Sequence, residues 1–137
     1  MRPRDVVLDY LECLERRDVS GLDKVVAEDV VVYKPNGELA FTERRAWKSA
    51  VESEPFADSK IAVEDMICEG DKVVVRYRLE CTQVRPVLGI FPSDRRITTS
   101  GTKIYRVRGD KITEIAGHDD FLGVLQQLGV VDIDSGG

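Results

Sequence analysis

An α+β fold, with helices segregated from a largely antiparallel sheet, is predicted by three observations. Apolar residues recur at helical spacing near the start, where Val7, Tyr10, Leu11 and Leu14 stand at i, i+3, i+4 and i+7. Phe121, Val124, Leu125 and Leu128 repeat that spacing near the end. Between them lie four long β-patterned runs, Lys60 to Glu69, Lys72 to Thr82, Arg95 to Val107 and Lys111 to Gly117, with Gly-Asp turns inside the first and second pairs. No βαβ alternation or solenoid repeat intervenes, so the strands are expected to pair as neighbours.

With 137 residues, 42% apolar and 33% charged, the chain suits one domain over residues 1–137, with an ordered core from about Pro3 to Val130. Twenty Lys and Arg against 25 Asp and Glu give a formal charge of −5, which offers no basic field for nucleic acid or anionic lipid. Cys13, Cys68 and Cys81 are scattered within apolar patterns and form no CxxC, so they read as buried free thiols in a reducing compartment. Charges interrupt the apolar residues of MRPRDVVLDYLECLERRD, and no run approaches membrane-spanning length. A soluble, cytoplasmic protein is expected.

Pro3 suits the first turn of the opening helix. Ser20 and Asp23 resemble a capping box for a second, shorter helix ending near Glu28. Val30 to Tyr33 reads as a strand, reversed by Lys34-Pro35-Asn36-Gly37. Thr42 can cap a helix with Trp47, Ala50 and Val51 on its apolar side, stopped by Pro55. In the second long strand Val73, Val75, Tyr77, Leu79 and Cys81 share one face, and Arg76, Arg78 and Glu80 the other. Pro86 to Asp94 is a loop, and Gly109-Asp110 reads as a hairpin turn in preference to an adhesion tripeptide with Arg108. Gly129 stops the last helix, and Val130 to Gly137 is expected to fray.

The stretch LGIFPSDRRITTSGTKIYRVRGDKITE followed by LGVLQQLG resembles the SnoaL-like polyketide cyclases of the nuclear transport factor 2-like superfamily. Thr82, Leu88, Gly89, Ile90, Pro92 and Arg96 match the family pattern. The resemblance implies a cone, in which a curved antiparallel sheet wraps over N-terminal helices around a pocket, and it implies a homodimer. It also implies a small apolar organic ligand and a cofactor-independent cyclase or isomerase. Two positions depart from the family: Gln83 stands where a His follows the Thr, and Ala116-Gly117 stands where Trp-Asp supplies the cyclases' acid/base. The Arg-x-Asp pair of the related epoxide hydrolases falls on Tyr77 and Leu79, while Arg78 and Glu80 have suitable types one position out of phase.

His118 is the sole histidine, and because an imidazole can both take up and release a proton it is the first candidate for proton transfer, against the plainer reading of a solvated strand-end residue. Asp119 and Asp120 can orient it or act as the acid, while Asp120 also suits the N-cap of the last helix. Tyr10, Tyr33, Trp47 and Tyr77 are candidate pocket aromatics, joined by Leu79, Cys81, Gln83, Lys103 and Ile115; core packing and a solvated sheet face are the competing readings. One histidine and scattered cysteines suggest no metal site, and without phosphate-loop or dinucleotide glycines no cofactor is expected. Two functions remain open: a proton-transfer enzyme, or a non-catalytic ligand-binding or dimeric scaffold protein that has lost the family's aspartate.

Overall fold

The computed structural model describes residues 2–92 and 94–132. Its first helix, α1 (Pro3–Arg16), opens with the Asp5 carboxylate accepting from the Arg2 N–H at 3.3 Å and buries Val6, Val7, Tyr10 and Leu11 along the expected stripe. Arg17 ends it in a left-handed conformation (φ 54°). From there its guanidinium donates to the carbonyl oxygens of Glu54 (3.0 Å) and Phe56 (2.7 Å), tying the helix end to a distant part of the chain.

The second helix, α2 (Leu22–Val25), is a single turn and does not continue to Glu28. Val26 is already extended, because β-branched residues keep more rotamer freedom in a strand and Val26 and Val30 find full burial there. The expected capping box is also absent: Gly21 is the N-cap, and the Ser20 hydroxyl donates to Asp18 at 3.0 Å. Strand β1 (Val26–Tyr33) turns through residues 34–37 into β2 (Leu39–Phe41). Helix α3 (Arg44–Glu52) starts one residue later than a Thr42 cap requires, with Glu43 as N-cap. Asp23 anchors it through Arg44 (3.2 Å) and Lys48 (2.8 Å), which fixes the inward direction of Trp47.

The four long strands are β3 (Phe56–Glu69), β4 (Lys72–Gln83), β5 (Arg96–Arg108) and β6 (Lys111–Asp119), and α4 (Phe121–Gln127) follows. With β1 and β2, the four long strands form one curved sheet of order β2-β1-β6-β5-β4-β3, antiparallel throughout except for the parallel β1–β6 pair. Strand β3 starts before Lys60, and β6 runs past Gly117 to Asp119. Alternation on β4 is as expected, with Val73, Val75, Tyr77 and Cys81 buried and Arg76, Arg78 and Glu80 exposed. The inward residues of β4, β5 and β6 pack on α1 as the main core. Cys81, Ile97 and Val124 form a second cluster under α4, whose Phe121 is half-exposed rather than part of a buried stripe.

A single irregularity on β6 decides what the sheet presents. Val107 pairs with Ile112, yet Arg106 pairs with Glu114, so Thr113 is an extra residue opposite the step between them. Its hydroxyl donates to the Arg106 carbonyl oxygen at 3.3 Å. The bulge lets Ile112 and Ile115, three residues apart, both face inward, and shifts every later β6 residue by one place.

Cys81 is buried, Cys13 half-buried and Cys68 exposed, so the expectation of three buried thiols fails at Cys68, near the tip of the β3–β4 hairpin. No described helix is long and apolar enough to cross a membrane. The frayed tail expected after Val130 lies, from residue 133 on, outside the described residues.

Candidate active site

Between α1, α3 and the concave face of the sheet lies a cavity of about 300 Å³. Its walls are largely apolar: Leu11 and Leu14 from α1, Trp47 and Val51 from α3, and Ile61, Leu79 and Ile115 from the sheet. Tyr10 stacks on Trp47 (centroids 5.7 Å apart, 25° between planes) and meets Tyr105 edge-on at 5.4 Å. These contacts fix both tyrosine rings, and their hydroxyls make no hydrogen bond among the described residues. Burial pushes both phenols well above their ordinary pKa, so both are neutral donors at physiological pH.

Register brings the polar groups together. Val75, Lys103 and Gly117 form one row across β4, β5 and β6, and Tyr77, Gly101 and Asp119 form the next. Each row thus places a glycine beside a functional side chain. Lys103 Nζ and Asp119 Oδ2 lie 3.3 Å apart. A Cβ on Gly101 would stand 2.6 Å from both Asp119 Oδ1 and Tyr77 Oη, so those two groups occupy the space that the missing side chain leaves. Gly117 has φ 145°, and a Cβ there would collide with the Thr102 carbonyl oxygen and stand 2.8 Å from Lys103 Cα.

Burial raises the pKa of Asp119 and lowers that of Lys103. Asp119 is an exposed residue that keeps 44% of its side-chain surface open and also lines the cavity, beside apolar walls. Glu54 also lines the cavity, with its pKa raised by burial, lowered by Arg17 and raised again by Asp119. Arg17, Glu54 and Asp119 thus add charge to an otherwise apolar lining.

Of the residues singled out in the sequence, Tyr10, Trp47, Tyr77, Leu79, Lys103, Ile115 and Asp119 line this cavity. His118 does not. It is exposed and pairs with Thr102, an exposed residue of the opposite face. The reason is the Thr113 bulge: an unbroken hairpin register would set His118 opposite Gly101, and the extra residue sets Asp119 there instead. Asp120 is the N-cap of α4, its carboxylate accepting from the Gly123 N–H at 3.0 Å, and it too lies outside the cavity.

Tyr33 is separated by alternation from Val32, which lines the cavity. Cys81 packs under α4. Gln83, 3% exposed, donates to the carbonyl oxygens of Arg85 (2.9 Å) and Ile90 (2.7 Å), so it pins the loop after β4. Arg78 and Glu80 are exposed on the convex face and form no inward charged pair. Arg17, Glu54 and Tyr105 are cavity residues that the sequence did not single out; Tyr105 was legible from its spacing of two from Lys103. Among the described residues no group of three His, Cys, Asp or Glu side chains is arranged to hold a metal ion.

The family model described as SnoaL-like polyketide cyclase matches residues 4–128. Among solved structures, the chain is similar to wild-type IdmH, a proposed polyketide cyclase from Streptomyces antibioticus, with TM-score 0.82 and 25% identity over 95% of this chain and 100% of that one. A proposed polyketide cyclase from Acidithiobacillus ferrooxidans gives TM-score 0.82 at 22% identity, covering 93% of this chain and 94% of that one. AclR, a proposed hydroxylase from Streptomyces galilaeus, gives TM-score 0.81 at 21% identity, covering 95% and 86%. The two under 25% identity share the fold alone. No curated protein is a significant sequence match.

Proposed function

Because the chain belongs to the SnoaL-like polyketide cyclase family, we propose that its cavity binds a small, mostly apolar carbonyl compound and catalyses ring closure or isomerisation by proton transfer at Asp119. The observation that carries this reading is the Asp119–Lys103 pair, 3.3 Å apart on the concave face of an aromatic-walled cavity. Family cyclases place their aspartate at the position of Gly117. Asp119 lies two residues further along the same face, a displacement of about 7 Å. The acid is therefore moved rather than lost, and His118, exposed on the other face, takes no part.

In the proposed reaction the Asp119 carboxylate takes a proton from the carbon beside a carbonyl. The electron pair left behind moves onto the carbonyl oxygen, where the Lys103 ammonium and a tyrosine hydroxyl stabilise it. The enolate carbon then attacks a second carbonyl in the same molecule, and the resulting alkoxide takes the proton back from Asp119. No electron acceptor or added group is required. A raised carboxyl pKa suits this cycle, since the base must also return its proton.

The test uses acetophenone, whose methyl protons exchange slowly with D2O. Wild-type protein is expected to speed that exchange, and His118→Ala to leave the acceleration unchanged. A wild-type rate equal to that of a folded control protein would remove the catalytic reading and leave a binding protein.

We also propose that a second copy of the chain covers the convex face. Ile67, Val74, Ile104 and Ala116 form a cross-strand row there, and Ile67 and Ile104 are 62% and 45% exposed. Charged rows flank it, Glu69–Lys72–Arg106–Glu114 on one side and Asp65–Arg76–Thr102–His118 on the other, so a copy offers acids to meet bases. A stable pair needs about 800 Å² from each partner. Ile104→Glu is expected to convert a sedimenting dimer to monomer; a wild-type monomer at micromolar concentration would refute the assembly.

A further inference from the structure

Among the described residues Lys103 is the one lysine that lines the cavity, with 26% of its side-chain surface exposed. Building on the proposed carbonyl substrate and on Asp119 as its base, we infer that Lys103, instead of stabilising an enolate oxygen by charge alone, bonds covalently to that carbonyl as an imine, with Asp119 as the proton carrier for the bond's formation and hydrolysis. Three features of the geometry support this. Lys103 pairs with Gly117, so the β6 residue directly opposite it places no side chain over the amine. A carboxylate lies 3.3 Å from the amine. The Tyr77 hydroxyl converges with that carboxylate over Gly101, which sets a second proton-bearing group beside it.

The ion pair supplies both reactive forms in one step. Passing one proton from the Lys103 ammonium to the Asp119 carboxylate yields a neutral amine and a carboxylic acid, and partial burial of both groups disfavours their ionic forms, which the directions of their pKa shifts reflect. The amine attacks the carbonyl carbon, and the π electrons move to oxygen, which takes the proton from Asp119. Asp119 then accepts a proton from the nitrogen and returns it to the hydroxyl, which leaves as water. The nitrogen lone pair forms the C=N bond. From that iminium ion the Asp119 carboxylate removes the neighbouring proton to give an enamine, a stronger carbon nucleophile than a neutral enol. After ring closure, water adds to the regenerated iminium and frees Lys103. Only water is consumed, and it is the water released at the start.

An arginine at 103 keeps the positive charge but forms no imine, so it separates a covalent role from an electrostatic one. The probe is pentane-2,4-dione, which condenses with an amine to a stable, near-ultraviolet-absorbing vinylogous amide and needs no reductant. Wild-type protein is expected to take up the diketone, less one water, on the peptide containing Lys103 at least about tenfold faster than on the exposed Lys34, Lys60 and Lys72. Lys103→Arg, verified as folded by its thermal melt, is expected to lose that adduct. Labelling of Lys103 at the rate of the exposed lysines would overturn the inference, as would acetophenone exchange at the full wild-type rate in Lys103→Arg. Because those results leave Asp119 as a base, they are distinguishable from failure of the proton-transfer reading, in which wild-type protein catalyses no exchange.

Discussion

Asn in place of Asp119 is expected to lower the catalysed exchange of acetophenone by two to four orders of magnitude, roughly what one positioned acid/base contributes. The substitution keeps the size and planarity of the side chain and removes only its ability to carry the proton. Binding of the proposed substrate against the cavity walls of Trp47, Tyr10, Leu79 and their neighbours should change little, so the loss belongs in kcat rather than KM. The pH profile of the wild-type protein gives an independent check. Asp119 acts as a base only when ionised, and burial raises its pKa above the ordinary 3.8. Activity should therefore disappear on acidification at a higher pH than a solvated carboxylate would produce. The same shift has a stability sign: the folded state holds a proton that the unfolded chain has released, so this contribution is present at low pH and lost as pH rises through the folded pKa. The ionised carboxylate is thus retained at some cost to stability. An Asp119→Asn protein that exchanges acetophenone within threefold of wild type would end the proposed role.

Alanine at Gly117 is expected to destabilise the protein by about 3 kcal/mol or more, the combined effect of a disfavoured backbone angle and forced overlap. The backbone there has φ 145°, and a Cβ would collide with the Thr102 carbonyl oxygen, which belongs to the neighbouring strand and cannot swing away as a side-chain end can. For a chain of 137 residues this corresponds to a fall in Tm of roughly 10 °C. Aspartate at 117, which would reinstate the family's residue, meets the same collision and should fare no better. Gly117 and Asp119 therefore form a coupled pair of differences: the conformation that rules out a side chain at 117 accompanies a carboxylate two residues on. A Gly117→Ala protein melting within about 2 °C of wild type, measured by circular dichroism, would contradict this account of the backbone.

The strands and the first helix were legible in the sequence because their evidence is periodic. Val73, Val75, Tyr77 and Cys81 alternate without interruption and are all buried, and Val7, Tyr10 and Leu11 keep helical spacing and are buried too. Local competition was harder to read. Leu22, Val25 and Val26 suit a helix by spacing, but β-branching and a place beside Ile112 win at Val26, and that place depends on a strand more than eighty residues away. The site fell between these cases. His118 drew attention by its chemistry, while its direction depended on a bulge four residues before Gly117. That bulge had a trace in the sequence, since Ile112 and Ile115 cannot both face inward on a regular strand. The Lys103–Asp119 pairing had no such trace. It requires the register of two strands, and register is a property of the assembled hairpin rather than of either run of residues.

The parallel pairing of β1 with β6 governs the order in which this molecule can be made. Tyr10 and Trp47 leave the ribosome early, whereas Lys103 and Asp119 come from the last two strands, and β1 has no partner on its β6 side until residues 112–115 have been synthesised. During synthesis, β1 and its hairpin partner β2 therefore wait as a short ribbon, too small to be stable alone. Closing the sheet across so long a stretch of chain carries a loop entropy that only completion of the core repays, which favours late, cooperative folding. The Lys103–Asp119 pair forms in the same event that finishes the sheet, so a partly folded chain presents neither the cavity nor the paired charges within it.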